Sequence, residues 1–265
     1  MNSKLFIYTI HLGDNALILA QRNAEWCGHG PVLEQDIAIT NISLDLLGQA
    51  RNFYQYAAEL YNNFNGEEKN AVYKYIPRLW KTYDRELQED DLAFLRDEHQ
   101  YLNLLITELP KTDWAFSILR QFFFSSFQFY QCQRLQQSSD AQLAAIAEKS
   151  IKEVAYHVRW SGEWVIRLGD GTEESNQRIK NALADLWMFT GEMFMPVDYE
   201  QVDVSLLKND WIKKAEAVFA EAILPIPEGN SWMQGGGKEG RHTEHLGYLL
   251  TDMQYLQRIY PNATW

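Results

Sequence analysis

The sequence predicts an all-α protein built as a helical bundle. Apolar residues recur at the period of an α-helix along almost the whole chain, and no stretch shows the pattern of a β-hairpin. Only seven prolines and fifteen glycines occur in 265 residues, and many of them fall between the periodic segments. Hydrophobic residues make up 46% of the chain, which is enough for a sizeable core. We therefore expect four long helices with several supporting ones.

Eight helices are predicted, and the breaks between them carry residues that typically end or start a helix. "GHGP" at 28–31 separates the first two helices, and Pro110 ends the third. "SSD" at 138–140 precedes the fifth helix, "GDGT" at 169–172 follows it, and "LPIPEGN" at 224–230 follows the seventh. The predicted helices span 13–27, 34–62, 84–109, 113–137, 140–168, 173–194, 205–223 and 242–259.

Two segments do not have a clear helical pattern. The segment 62–84 mixes charged and aromatic residues, and it is interpreted as an insertion or a short extra helix. The segment 230–240 contains three consecutive glycines and is predicted to be a flexible loop. We expect residues 1–265 to form one helical domain around these two segments.

The charge and the cysteine content limit the classes of partner and compartment. The net charge is −12, with 36 acidic and 24 basic residues and no basic stripe, so nucleic acid is not an expected ligand. No run of 18 apolar residues is present, so no membrane span is expected, and the first apolar run is too short for a signal-peptide core. Cys27 and Cys132 form no CxxC pair and are interpreted as buried thiols. The expected location is the cytoplasm.

The stretch "KEVAYHVRW" at 152–160 raises the question of a metal site, because helical bundles bind two irons with Glu-x-x-His motifs on two helices and a carboxylate on each of two others. His157 lies on the inner seam of the predicted helix 140–168, but Val154 occupies the position three residues before it. Glu153 points about 100° away and can reach His157 only as a neighbour four residues apart. On the helix 34–62, Leu46 and Gln49 have the same three-residue spacing. A di-iron site is therefore not expected.

Two further motifs each leave two interpretations open. "EGRHTEH" at 239–245 contains an H-x-x-H spacing that can bind zinc, or it is a polar helix start capped by Thr243 or a neighbour. "FFFSSFQFY" at 122–130 is either part of the core or a partner interface.

Four long segments resemble the C subunits of the bacterial phenylacetyl-CoA 1,2-epoxidases, also called ring-1,2-oxygenases. The resemblance covers essentially the whole chain, although 62–84 is longer than expected for that family. The segments are "EWCGHGPVLEQDIAITNISLDLLGQAR" (25–51), "RDEHQYLNLLITELP" (96–110), "KEVAYHVRWSGEWVIRLGDGTEES" (152–175) and "HTEHLGYLLTDMQYLQRIYPNATW" (242–265).

The resemblance implies a ferritin-like four-helix bundle with a degenerate di-iron site, in a structural and non-catalytic component that pairs with the catalytic A subunit. The catalytic partner would use two irons to epoxidise the aromatic ring of phenylacetyl-CoA during phenylacetate breakdown, with NADPH electrons supplied by a reductase. A small bridging protein is a further implied partner. This chain itself would bind no cofactor.

The resemblance also implies where the lost metal ligands stood. The former ligand positions are Glu25, Leu46, Gln49, Val154 and His157. The remaining ligand position falls near Phe122 and Phe123. A charged carboxylate inside the bundle needs a partner, so Glu25 or Glu153 is expected to hydrogen-bond His157 or a nearby arginine or lysine.

Three other functional hypotheses accompany this interpretation. The chain could be an independent di-iron carboxylate oxidase with an atypical ligand set around Glu25, Glu153 and His157. It could be a zinc-binding regulatory module built on "HTEH". Finally, Lys238 and Arg241 on the glycine loop form either a basic patch at the substrate entrance, facing a CoA phosphate in the partner's pocket, or a mobile surface loop.

Overall fold

The computed structural model describes residues 2–227 and 232–263, and helices are the regular secondary structure within those ranges. The predicted all-α fold class is confirmed. The α-helices are α1 (Asn2–Ala24), α2 (Leu33–Asn62), α3 (Gly66–Ala71), α4 (Glu89–Phe94), α5 (Leu105–Glu108), α6 (Trp114–Leu135), α7 (Ala141–Gly169), α8 (Glu173–Leu186), α9 (Lys208–Glu221) and α10 (Glu244–Ile259). Within the described ranges, no helix combines the length and apolar character needed to cross a membrane.

The first half of the bundle is the antiparallel pair α1 and α2. The Phe6 ring packs on Tyr61 with 6.1 Å between the ring centroids, and the Tyr54 hydroxyl donates a hydrogen bond to Asp14 Oδ1 at 2.6 Å. Gly13 makes this approach possible, because a Cβ atom there would lie 2.8 Å from the Tyr54 ring. The pair thus packs closely enough to bury most of α1.

The second half is the antiparallel pair α6 and α7, which packs against the first. Asn23 of α1 donates to Gln121 of α6 at 2.7 Å, and Tyr56 of α2 donates to Asp140 before α7 at 2.7 Å. Asp140 also caps α7, because its Oδ1 accepts the Leu143 N–H at 2.8 Å. The four long helices α1, α2, α6 and α7 form the predicted ferritin-like bundle.

The aromatic stretch of α6 belongs to the core. The Phe122, Phe123, Phe124 and Phe127 side chains are buried. Phe123 packs against Trp211 of α9 at a centroid distance of 5.3 Å. The core interpretation of 122–130 is therefore confirmed for these four rings, which join the bundle to α9.

The predicted start of the first helix at residue 13 is wrong, since α1 begins at Asn2. Almost every side chain from Phe6 to Ala20 is buried. A helix that is buried on all sides has no apolar stripe for a periodicity analysis to find. Its polar residues, His11 and Asp14 among them, make internal hydrogen bonds and do not mark a solvent face.

The predicted helix 84–109 is also wrong, because only α4 and α5 are α-helical in that region. Between them a 3₁₀ turn at Glu98–Gln100 is followed by extended backbone, and two N–H groups of the extended part bond to side chains of α1. Leu102 N donates to Asp14 Oδ2 at 2.7 Å, and Leu104 N donates to Asn15 Oδ1 at 2.7 Å. These side chains of α1 replace the carbonyl groups that a continuous helix would have supplied.

The segment 62–84 contains a short helix, α3, which was one of the two interpretations of this segment. Asn65 caps it, with Asn65 Oδ1 accepting the Glu68 N–H at 3.0 Å and Glu68 accepting the Asn65 N–H at 3.1 Å.

Two further predicted helices are too long. The helix 173–194 ends at Leu186 and continues as 3₁₀ turns, and the helix 205–223 starts with a 3₁₀ turn before α9.

The predicted flexible loop 230–240 is partly described, since residues 230 and 231 lie outside the described ranges. The rest of it is anchored. Glu192 Oε1 accepts the Gly236 and Gly237 N–H groups at 2.8 and 2.7 Å, and Glu192 Oε2 accepts the Leu105 N–H at 2.8 Å. One buried carboxylate therefore holds the end of this loop against the segment that leads into α5.

Candidate functional site

The interior between α2 and α7 is the candidate site, because it holds the predicted former ligand positions of those two helices. Leu46, Gln49, Val154 and His157 are all buried, with no side chain more than 1% exposed. The inner seams predicted for α2 and α7 therefore face the bundle interior. Leu46 and Gln49 lie one turn apart on α2, and Val154 and His157 lie one turn apart on α7.

Gln49 links three helices through its amide group. Its Nε2 donates to Glu153 Oε2 of α7 at 2.9 Å, and its Oε1 accepts a hydrogen bond from Gln128 Nε2 of α6 at 2.9 Å. Both ends of the amide are used, which fixes its orientation. Gln128 was missed in the sequence, because the position on α6 that reaches α2 depends on how the two helices pair.

His157 is paired with Asp45, which the sequence analysis also missed. His157 Nε2 lies 3.0 Å from Asp45 Oδ2, and the imidazole is fully buried while the Asp45 side chain is 35% exposed. A carboxylate accepts hydrogen bonds, so Nε2 carries the proton in this pair. His157 Nδ1 has no hydrogen-bond partner among the described residues, and neither has Gln128 Oε1.

The predicted role of Glu153 as the partner of His157 is wrong. Its carboxylate accepts from Gln49 instead, while Asp45 takes the imidazole. The two contacts lie one turn apart along the same pair of helices. Spacing along α7 alone favoured Glu153, but Asp45 of α2 accepts the hydrogen bond from His157 Nε2.

Glu25 lies in the turn that follows α1, so its expected position inside the bundle is wrong. Its side chain is 32% exposed, and its carboxylate accepts a hydrogen bond from Arg22 Nη1 at 2.7 Å. Lys111 binds the Glu25 backbone carbonyl at 2.9 Å. The expected nearby arginine is therefore present, but the ion pair forms at the end of the bundle and does not fill a former metal cavity.

Phe122 and Phe123, the α6 residues near the implied ligand position, do not contact Gln49. Phe123 faces α9, and Phe122 lies beside Gly162 of α7. The α6 residue that reaches Gln49 is Gln128, more than one turn further along.

These residues do not fit a di-iron centre. Such a centre needs oxygen donors from four helices and two imidazoles. Leu46 and Val154 have no donor atoms, Gln49 is engaged at both ends, and only His157 retains an imidazole. Among residues 2–227 and 232–263, no three His, Cys, Asp or Glu side chains are placed to share a metal ion. The atypical set of Glu25, Glu153 and His157 is not brought together either, because each side chain has a different partner.

Lys238 is not part of an exposed basic patch, so that hypothesis is wrong for this residue. Its Nζ lies 2.8 Å from Glu200 Oε1 and 2.8 Å from the Met195 carbonyl, and the Lys238 and Glu200 side chains are only 3% and 2% exposed. Burial lowers the pKa of Lys238 and raises the pKa of Glu200. Arg241 is 74% exposed and pairs with Glu239. The two cations therefore do not form a joint phosphate site.

The "HTEH" motif is a helix start in which the first histidine is already bonded. His242 Nδ1 lies 2.8 Å from Glu108 Oε2, and His242 Nε2 lies 2.9 Å from the Tyr101 carbonyl. Thr243 is the N-cap of α10 and accepts the His245 N–H. The capping interpretation is confirmed, and both nitrogens of His242 face acceptors.

The pairing of His242 with Glu108 predicts a stability that depends on pH. Burial opposes the charged imidazole, but the hydrogen bond to Glu108 and its negative charge outweigh burial and raise the pKa of His242. A raised folded-state pKa adds stability that is fully present below about pH 6.5 and is lost as the pH rises through the folded value. The difference in free energy of unfolding between the wild type and His242→Gln should shrink from about pH 6 to about pH 9. A difference independent of pH, measured by urea denaturation, would contradict the pairing.

Comparison with known proteins identifies a family and a curated relative. The family model described as "Phenylacetic acid catabolic protein" matches residues 1–265. The C subunit of the 1,2-phenylacetyl-CoA epoxidase of Escherichia coli (strain K12) is 43% identical over 274 residues, and the alignment covers 99% of this chain and 100% of that protein.

Proposed function

The chain belongs to the phenylacetic acid catabolic protein family, and from that membership we propose that it is the non-catalytic structural component of a multicomponent di-iron monooxygenase. In this proposal the catalytic A subunit epoxidises the aromatic ring of phenylacetyl-CoA. A reductase supplies electrons from NADPH, and a small bridging protein is a further partner. The present chain binds the catalytic partner, stabilises it, and holds no cofactor of its own.

The observation that carries the proposal is the loss of metal donors inside an otherwise intact bundle. The hydrogen-bonded series Gln128–Gln49–Glu153 connects α6, α2 and α7, and the pair Asp45–His157 connects α2 and α7 a second time. A metal pair in a catalytic bundle would join the same helices through its ligands. Direct hydrogen bonds thus link the helices in place of metal ligands. The interior lacks the carboxylate and imidazole ligands that an oxygen-activating iron pair would need.

The exposed aromatic surface of α10 supports a role within an assembly. Tyr248, Tyr255 and Ile259 are 73%, 59% and 48% exposed, and they follow one another at intervals of seven and four residues along one side of the helix. Tyrosine is enriched at protein interfaces, where its ring supplies contact area and its hydroxyl supplies a hydrogen bond. Such a stripe is unusual on a protein that works alone.

The proposal is tested by metal analysis of the chain alone and of its co-expressed complex with the catalytic partner. We expect the isolated chain to contain far less than one iron per molecule. The purified complex should contain both proteins and about two irons per catalytic chain. The variant His157→Gln should leave that iron content unchanged, because His157 is not a ligand in this proposal.

Two results from the wild-type proteins and one from a variant would overturn the proposal. One is an isolated chain that carries about two irons and consumes oxygen without a partner, as an independent oxidase would. The other is a folded chain that does not co-purify with the catalytic partner. Iron in the complex that disappears with His157→Gln would also contradict it, provided that the variant retains the wild-type circular dichroism spectrum.

A further inference from the structure

The segment between α2 and α4 is locally basic, although the whole chain has a net charge of −12. Residues 69–85 contain one acidic residue, Asp84, and five basic residues, which are Lys69, Lys74, Arg78, Lys81 and Arg85. Acidic residues border this stretch, with Glu68 directly before it and Glu86 directly after it. The positive region is therefore short, and its size matches a small anion and not a polynucleotide.

This basic segment lines a cavity of about 460 Å³ near the end of α2. The walls of the cavity contain Tyr61 of α2 together with Lys69, Trp80, Lys81 and Tyr83. The Trp80 ring packs edge-on against Tyr61, with 5.6 Å between the ring centroids. Pockets of this volume hold small organic ligands, and aromatic walls with a few polar groups are typical of them. We call this space the Trp80 cavity.

Two lysines of the Trp80 cavity keep an uncompensated positive charge. Lys69 Nζ lies 5.4 Å from the centroid of the Tyr61 ring, and Lys81 Nζ lies 3.2 Å from the centroid of the Tyr73 ring. Neither lysine forms an ion pair with a residue in the ranges 2–227 and 232–263. An aromatic ring attracts a cation without cancelling its charge. Lys69 and Lys81 are therefore available to an anion in the cavity.

Two polar atoms in the walls of the Trp80 cavity have no hydrogen-bond partner. Trp80 Nε1 and Tyr83 Oη are shielded from solvent, and neither forms a hydrogen bond within the part of the chain that the structure describes. An indole N–H can only donate, and a buried donor without an acceptor is unfavourable. Such groups are rare in native proteins and need an explanation. Because both side chains line the cavity, acceptor atoms of a bound ligand would explain them.

Arg85 and two carboxylates complete the walls of the Trp80 cavity. Asp91 accepts two hydrogen bonds from the Arg85 guanidinium at 2.6 and 2.8 Å, so Arg85 is a fixed part of the wall and not a free charge. Asp84 and Glu86 are exposed. A carboxylate repels a phosphate group, but it accepts hydrogen bonds from the hydroxyl groups of a ribose. The walls thus combine groups that suit a phosphate, a sugar and an aromatic base.

We propose that the Trp80 cavity binds a nucleoside diphosphate. The base packs against Trp80, because aromatic side chains stack on bases of any sequence. The phosphate groups pair with Lys69 and Lys81, and the ribose hydroxyls donate to Asp84 or Glu86. The same chemical group occurs in free nucleotides such as ADP and as part of coenzyme A, and the cavity would recognise it in both.

Isothermal titration calorimetry of the purified full chain with ADP and with adenosine tests the proposal. Lys69→Met and Lys81→Met should each weaken the affinity for ADP by about tenfold or more and leave the affinity for adenosine unchanged, because adenosine carries no charge. Trp80→Phe keeps a ring but removes the indole N–H, so it should weaken both ligands. Lys180→Met is the matched control, since Lys180 is an exposed lysine on α8 outside the cavity, and it should bind ADP like the wild type.

Three results would contradict a nucleotide site. The first is the absence of any heat of binding with ADP at about 1 mM. The second is an ADP affinity that both lysine variants leave unchanged. The third is inorganic pyrophosphate that binds as tightly as ADP, because the aromatic walls would then contribute nothing. If Trp80→Phe loses the wild-type circular dichroism spectrum, Tyr83→Phe replaces it, since this change removes only a hydroxyl group.

Competition with coenzyme A distinguishes the two sources of the nucleotide. If coenzyme A displaces ADP, the cavity accepts the diphosphate group of a coenzyme, and if it does not, the cavity is selective for free nucleotides. Either result supports the site. This inference does not rest on the proposed function. A chain that co-purifies with the catalytic partner but does not bind ADP leaves the proposed function intact, and a chain that binds ADP without pairing leaves the nucleotide site intact.

Discussion

Replacing Asp14 with alanine is expected to lower the free energy of unfolding by about 3–5 kcal/mol, because it leaves Arg96 charged and unpaired in the interior. The side chains of Asp14 and Arg96 are both fully buried and form an ion pair. Asp14 also accepts hydrogen bonds from the Tyr54 hydroxyl and from Leu102 N at 2.6 and 2.7 Å. Asp14→Ala therefore removes the counter-ion of Arg96 together with two further hydrogen bonds.

Urea denaturation of three variants tests this expectation. Asp185→Ala is the surface control and should change the free energy of unfolding by less than about 0.5 kcal/mol, because Asp185 is exposed on α8. The double variant Asp14→Leu with Arg96→Met should lose less stability than Asp14→Ala, since it leaves no charge behind. A double variant that is less stable than Asp14→Ala would show that hydrogen bonds to the backbone, and not the unpaired charge, dominate the loss.

Replacing Lys238 with methionine should have an effect of similar size, about 3–5 kcal/mol, because Glu200 would remain buried without its cation. Lys238 Nζ also donates to the Met195 carbonyl, so the lysine ties the loop before α10 to the segment before α9. The change in free energy of unfolding can be measured by urea denaturation.

The matched control for Lys238 is Arg241→Met. Arg241 lies three residues away and is a cation too, but its side chain is 74% exposed, so its removal should cost no more than about 1 kcal/mol. The double variant Lys238→Met with Glu200→Gln should recover part of the lost stability. Similar losses for Lys238→Met and Arg241→Met would contradict the buried pair.

The parts of the fold that could be predicted are those whose signals lie within one helix. The α2 and α7 helices were placed to within one residue, because each has one apolar seam and Asp140 marks the start of α7. The same seams correctly place Leu46 and Val154 in the interior. Local spacing determines which face of a helix is buried, and a single sequence contains that spacing.

The parts that could not be predicted depend on contacts between distant residues. Nothing near Leu102 or Leu104 shows that side chains of α1 will accept their N–H groups. In the candidate site, Asp45 and Gln128 were missed for the same reason. Their partners, His157 and Gln49, are set by how far one helix is shifted along another, and periodicity contains no information about that shift.

The extended segment bonded to α1 affects the order in which the chain can fold during synthesis. Asp14 and Asn15 leave the ribosome long before their partners, because Leu102 and Leu104 follow 88 and 89 residues later. Arg96 is separated from Asp14 by 82 residues. Until these partners emerge, the growing chain exposes the largely apolar helix α1, and the Asp14 and Asn15 side chains lack the backbone N–H groups that they bind in the folded protein. Contacts of such long sequence separation slow folding and leave intermediates prone to aggregation, so we expect the apolar surface of α1 to need protection until residues 96–104 have been synthesised.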